Sequence, residues 1–315
     1  MKRADKPLLL NLLALELRFY QDINRPVMYP PHLSGRVIFW YNTPMTPDRN
    51  ISSLPASVQV TAHTHIAMLA SAMPGWLDSY YFTGSVALGA FQTGISDVDF
   101  VAIVTRCLKE GEPERLKSIH RSLHNRKLFS PLDGFYVTED QLRPAGGATA
   151  LRFNDGRFQG LTQFAVNSPD GWVLKRHGVC IVGRPPDKLP YLPDWEHVAN
   201  GIRENLDTYW RGWVNGCRNI CSPRTIGLLT RPDVLEWGVL GISRLYFSLR
   251  ERDVASKTEA GEYALQHVPE RWHPILREAL RRRNIEIKPQ YRSAFKRWHD
   301  VLAYMDFIRT ECSKL

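Results

Sequence analysis

The chain has 315 residues, 43% of them hydrophobic and 23% charged, which fits a soluble globular protein and argues against a disordered or membrane-embedded one. Lys and Arg number 41 against 32 Asp and Glu, a net charge of +9, of which the segment from Arg271 to Leu315 carries eleven basic against five acidic residues. The five cysteines (Cys107, Cys180, Cys217, Cys221, Cys312) are odd in number and contain no Cys-x-x-Cys pair, so a disulfide framework and a structural zinc are not expected, and a reducing cytoplasm is.

Taken in chain order, Met1-Lys2-Arg3 followed by Leu8–Leu15 imitates a secretory leader. However, Asn11, Glu16 and Arg18 interrupt the apolar run and no small-residue cleavage site follows. The run is too short to span a bilayer, so a short amphipathic helix and no membrane partner are predicted. Residues 21–55 are broken by Pro26, Pro30, Pro31, Pro44, Pro47 and Pro55 and read as an irregular extension. The organised region then begins near Leu54, leaving residues 1–53 as an extension and Met45 as an alternative start. A helix is predicted over 57–73, a strand over 79–83, a short helix over 85–91, a turn at Gly94 and a strand over 97–104. A basic helix follows over 113–125. It places His120 and His124 on one face, but with no third ligand these read as exposed helix histidines. A third strand is predicted over 132–137, with apolar segments around 158–166 and 179–182. After the break at Pro185, Pro186, Pro190 and Pro193 the pattern becomes helical: 194–218, 233–250, 256–266, 270–283 and 289–312. The predicted fold is mixed α+β. An α/β domain with a small mixed sheet spans 54–190, and an all-helical bundle spans 191–315, with a ligand cleft between them.

The chemistry concentrates in Tyr80-Tyr81-Phe82-Thr83-Gly84-Ser85 and, eleven residues on, Ser96-Asp97-Val98-Asp99-Phe100. Side chains two apart on a strand share a face, so Asp97 and Asp99 converge. Two hard oxygen donors side by side suit Mg²⁺ that also binds a nucleoside triphosphate. Gly84 allows close backbone approach to a phosphate, and Ser85 can donate to it; Ser96 belongs to the same candidate nucleotide site. Gly-Ser followed about a dozen residues later by Asp-x-Asp resembles the signature of the nucleotidyltransferase superfamily. That resemblance implies attack of a hydroxyl on the α-phosphorus of ATP with release of pyrophosphate. Asp133, early in the third strand, is the candidate general base and third metal-site carboxylate, provided its strand lies beside that of Asp97 and Asp99.

A second match lies in the helical half. Gly241-Ile242-Ser243-Arg244-Leu245-Tyr246-Phe247-Ser248 leads to Asp253-Val254-Ala255-Ser256-Lys257-Thr258-Glu259. This closely resembles the C-terminal helical domain of the streptomycin/spectinomycin adenylyltransferases, and the resemblance extends over about residues 54–310. It implies that Arg244 and Lys257 meet ATP phosphates, an arginine fork and a lysine at a helix start being good phosphate partners. It further implies antibiotic resistance through a small aminoglycoside- or aminocyclitol-like acceptor. Two departures stand out. Asp133 replaces the family's strand glutamate, and the acidic and aromatic antibiotic contacts do not align, leaving Asp233, Glu236 and Trp237 as candidate substitutes beside an opposing Arg231. A monomer is expected. Nucleic acid is not favoured as a partner, because aromatics do not interleave with the Arg281-Arg282-Arg283 cluster. The alternatives keep the nucleotide site but take an RNA or protein hydroxyl as acceptor, or leave a non-catalytic nucleotide-binding regulator.

Overall fold

A computed structural model of the protein describes residues 54–125, 130–143 and 149–315. The predicted N-terminal helix, most of the Pro-rich extension and Met45 lie outside them. The elements of the first half are α1 (Ala56–Ala72), β1 (Leu77–Phe82), α2 (Gly84–Ala87), β2 (Val98–Val104), α3 (Glu112–His124), β3 (Leu132–Thr138), β4 (Thr149–Asn154), β5 (Arg157–Gln163), α4 (Pro169–His177) and β6 (Val179–Val182). Among the described residues six strands form one sheet in the order β5-β4-β3-β2-β1-β6. β2 and β3 run parallel; the remaining pairs are antiparallel. The sheet is therefore mixed, as predicted.

Strand β2 explains why the sheet is covered on both faces. Its residues Val98, Phe100, Ala102 and Val104 turn to one side, where they join Tyr80, Phe82, Tyr136 and Phe153 in a core that includes Val58, Leu69, Leu116 and Leu123 of α1 and α3. Val101 and Ile103 turn to the other side and pack with Tyr81, Val137, Phe164, Leu174 and Tyr191. Asp97 and Asp99 begin this second face, where apolar cover gives way to an open cleft.

The second half is helical: α5 (Trp195–Asn205), a π-helical turn (Leu206–Trp210), α6 (Arg211–Arg218), α7 (Pro223–Thr230), α8 (Pro232–Glu251), α9 (Lys257–His267), α10 (His273–Leu280) and α11 (Ala294–Cys312). α8 is its axis. It buries Leu235, Val239, Leu240, Ile242 and Tyr246 and packs against α9, α10 and α11. Ser256 caps α9 in a reciprocal box with Glu259, the Ser-x-x-Glu pattern legible in the sequence. Both halves belong to one unit, Met45–Leu315. Among the described residues no helix is long and apolar enough to cross a membrane.

One expectation is corrected. His120 is not exposed: it is 1% accessible, stacks on Phe153 at 3.7 Å and bonds Tyr136 Oη through Nε2 at 2.8 Å. His65, fully buried, bonds the same hydroxyl at 2.7 Å and Tyr80 Oη at 3.0 Å. α3 carries His120 on its inner face because Leu116, Ile119 and Leu123 flank it there. Burial drives the His120 pKa down to about 3 and that of His65 well below normal. Both rings are thus neutral in the native state, whereas the unfolded chain gains protons below about pH 6.5. Stability from these groups is present above that value and is lost as pH falls. His120→Asn is expected to make the loss between about pH 6.5 and 5 shallower by about 2 kcal/mol, read from urea midpoints at each pH. Parallel pH profiles for the variant and the wild type would refute it.

Candidate functional site

The cleft begins where β1 ends. The Thr83 amide donates to the Asp99 carbonyl at 2.9 Å, and Gly84 then turns into α2 with φ of +52°. A Cβ on Gly84 would stand 1.9 Å from Asp99 Oδ2, so only glycine can lay its backbone over that carboxylate. Ser85 Oγ donates to the Asp97 carbonyl at 3.4 Å, and buried Ser96 accepts from the Gln92 amide at 3.1 Å through Oγ, closing the loop before β2. In the parallel register Asp99 lies directly opposite Asp133. The structure therefore brings Asp97, Asp99 and Asp133 to one end of one sheet face.

Their electrostatics follow from that crowding. Burial, then the charges of Asp170, Asp133 and Asp97, push Asp99 up to about 7, against the pull of Arg244. Burial raises Asp133 to about 6 despite the Asp155 amide, which donates to Oδ1 at 2.6 Å. Asp97 is also raised, again by burial first, with Lys257 opposing. Carboxylates that repel one another in this way are relieved by a divalent cation. Asp97 and Asp99 fit such an ion. Asp133 already accepts hydrogen bonds on both oxygens, from Asn154 Nδ2 and the Asp155 amide. Among the described residues no group of three or more His, Cys, Asp or Glu is spaced to hold a metal ion. The carboxylate pair, with Asp133 beside it, is the donor set that the chain provides.

Across from these acids stand cations. A cleft of about 270 Å³ is lined by Gly84, Ser85, Ser96, Asp97 and Asp99 from the sheet half, and by Trp237, Arg244, Ser256, Lys257 and Arg283 from the helical half. Arg244 Nε is fixed on the Ala255 carbonyl at 2.8 Å, just before the start of α9. Lys257 is the first residue of α9, so the amide end of that helix adds positive potential. Trp237 stacks on Trp210 of the π-helical turn at 4.9 Å.

Two predicted acceptor contacts are placed differently. Asp233 is tied to Arg231 at 2.5 Å, and Glu236 is buried among cations; neither lines this cleft. Four participants escaped the sequence reading. Asp170 is announced only by a helix start, Ser168-Pro169-Asp170, with Ser168 as N-cap. Asn154 ends β4, and Asp155 opens the two-residue turn into β5. Arg283 sits within the basic run Arg281-Arg282-Arg283, which the sequence reading weighed as a nucleic-acid surface.

A mixed sheet with two carboxylates at the head of one strand, a third on its parallel neighbour, a Gly-Ser turn beside them and a cationic helical wall opposite can hold a divalent cation and a polyphosphate in one cleft. Comparison with known proteins adds the following. Residues 234–306 match the family model described as aminoglycoside adenylyltransferase, C-terminal domain. The crystal structure of spectinomycin adenyltransferase AAD(9) from Enterococcus faecialis, with ATP and spectinomycin, covers 81% of this chain and 98% of its own at 13% identity and a TM-score of 0.58, which shows a shared fold. A STING-associated CdnE c-di-GMP synthase from Capnocytophaga granulosa aligns over 82% of each chain at 12% identity, with a TM-score of 0.22 that carries no argument. A comparison with the curated proteins returns no match. The chain therefore shares its fold with spectinomycin adenyltransferase, and its residues 234–306 resemble the C-terminal domain of the aminoglycoside adenylyltransferases.

Proposed function

We propose that this protein transfers AMP from ATP to a hydroxyl of a small aminoglycoside- or aminocyclitol-like acceptor, with Mg²⁺ as cofactor and pyrophosphate as the second product. The observation that carries the proposal is the cleft itself, with Asp97 and Asp99 on one wall and Arg244 and Lys257 on the other. In the reaction the acceptor oxygen forms a bond to the α-phosphorus, the bond from that phosphorus to the bridging oxygen breaks, and pyrophosphate leaves. Arg244 and Lys257 hold the phosphates and take up charge developing on the leaving group. Asp133, raised to about 6 and held by Asn154 and the Asp155 amide, receives the acceptor proton. Asp97 and Asp99 would hold Mg²⁺, which supplies Lewis-acid stabilisation of the phosphate oxygens.

In this reading residues 54–190 carry the reacting carboxylates, residues 191–315 complete the nucleotide site, and the protein acts as a monomer. Modification of an antibiotic hydroxyl would make it a resistance enzyme, and its five free cysteines suit a reducing cytoplasm. The test is pyrophosphate release with ATP and Mg²⁺ across a panel that includes spectinomycin and streptomycin. Asp133→Asn is expected to lower turnover by about 10²–10⁴-fold while ATP affinity, measured by calorimetry, is retained. Silence across the panel with ATP still bound would remove the aminoglycoside acceptor, and full activity of the variant would remove Asp133 as the base.

A further inference from the structure

Glu236 lies on α8 two turns before Arg244 and is 1% exposed. Three cations surround its carboxylate: Arg282 Nη1 is 2.8 Å from Oε2, while Arg283 Nε is 2.8 Å and Lys257 Nζ 3.7 Å from Oε1. A buried carboxylate needs one good partner. Three partners leave a local excess of positive charge, and the excess faces the cleft, because Lys257 and Arg283 both line it. Asp97 lies near enough to feel Lys257 and Arg282, yet it belongs to the carboxylate pair already described. Lys257 and Arg244 are each held below their usual pKa, by burial first, with Glu236 opposing the shift at Lys257, Asp170 and Asp99 opposing it at Arg244, and Arg283 adding to it at both.

Arg283 is built in rather than draped on the surface. Its side chain is 5% exposed, and Nε and Nη2 both rest on Glu236 Oε1, at 2.8 Å each. Its carbonyl accepts from Gln92 Nε2 at 3.2 Å, and Gln92 belongs to the loop that delivers Asp97. Arg283 therefore joins the two walls of the cleft. A guanidinium has five N–H donors in a rigid fork, so two spent on Glu236 leave three for a ligand.

We propose that Arg283 is a third triphosphate-binding cation of this site, and that Glu236 is the positioning residue that arrays Arg283, Arg282 and Lys257 to receive the phosphates. The proposal rests on the nucleotidyltransferase reading above. It moves Glu236 from acceptor recognition to nucleotide binding: its two oxygens already serve three cations, so no capacity remains for an acceptor ammonium. Pre-placing the cations on a buried anion lowers the ordering cost of gripping a polyphosphate.

The experiment is calorimetric titration of the full chain with Mg·ATP and, separately, with inorganic tripolyphosphate. Arg283→Gln is expected to weaken both ligands by the same factor, about 10–100-fold, with Arg283→Lys recovering part of it. Glu236→Gln, which keeps size and a hydrogen-bonding oxygen, is expected to weaken both by about 10-fold with the circular dichroism spectrum unchanged. Unchanged ATP affinity in Arg283→Gln overturns the proposal, as does a loss for ATP without a loss for tripolyphosphate. If Glu236→Gln unfolds, the Arg283 pair alone decides the phosphate role. Failure of the wild type to bind ATP at all removes the nucleotidyltransferase reading, and this proposal with it; binding that both variants leave intact removes this proposal alone.

Discussion

Asp99→Asn is expected to abolish nucleotidyl transfer, by more than about 10³-fold, and at the same time to make the protein more stable. The two effects share one cause. Asp99 is held near 7 by burial and by Asp170, Asp133 and Asp97. The native state therefore keeps a proton between about pH 4 and 7 that the unfolded chain gives up. The sign follows: stability from this group is present at acid pH and is lost as pH rises through that window. An uncharged amide of the same shape removes the repulsion. In mildly alkaline buffer with EDTA the variant is expected to gain about 1–2 kcal/mol, a rise in Tm of about 2–8 °C in a scanning calorimeter. Added Mg²⁺ is expected to raise the Tm of the wild type and leave that of the variant nearly unchanged. A variant that turns over, or that melts lower in EDTA, contradicts this account of the site.

Gly84→Ala is the second large effect. The new methyl would meet Asp99 Oδ2 at 1.9 Å and Asp99 Cγ at 2.6 Å, on a backbone whose φ of +52° already disfavours a side chain. The left-handed conformation alone costs about 1 kcal/mol, and the clash has to be relieved by moving the carboxylate that the site depends on. A displacement of about 1 Å at a reacting centre costs about 10²-fold in rate. The expected result is a loss of at least about 10²-fold in turnover together with about 2–4 kcal/mol of stability in urea unfolding. Gly111→Ala supplies the control. Gly111 has a comparable φ of +77°, but nothing lies within 4 Å of its added methyl. It is expected to lose about 1 kcal/mol with turnover unchanged. Equal activity losses in the two variants would show that strain, and not the approach to Asp99, accounts for Gly84.

Much of the fold was legible because its signals are local. The apolar run of β2, the Gly-Ser turn and the long apolar stripe of α8 each placed an element within a few residues of where it lies. β4 was missed because Thr149-Ala150-Leu151-Arg152-Phe153-Asn154 is short and polar at intervals. The usable cue was Asn154-Asp155-Gly156, a two-residue hairpin turn with φ of +50° at Asp155 and +69° at Gly156. α4 was missed for a related reason: its Ser-Pro-Asp start was present, but the basic stretch Lys175-Arg176-His177 blurred into the strand that follows. His120 was misread because a histidine beside Arg121 and His124 on a helix of low hydrophobicity gives no hint that Tyr136 and Phe153 enclose it.

What the sequence determined by itself is the chemistry of short range. Asp97 and Asp99 share a face because strand side chains repeat every two residues, Gly84 marks the close approach, and Ser256 with Glu259 starts α9 so that Lys257 opens it. What only the tertiary structure decided depends on which distant segments meet. The parallel register of β2 and β3 sets Asp133 opposite Asp99, and the packing of α8, α9 and the turn after α10 gathers Lys257, Arg282 and Arg283 onto Glu236. The physical reason is that Coulomb energy and desolvation depend on distance and burial in space, not along the chain. The same Glu236 that read as a candidate contact for the acceptor is, buried among three cations, the anion that holds a basic wall together.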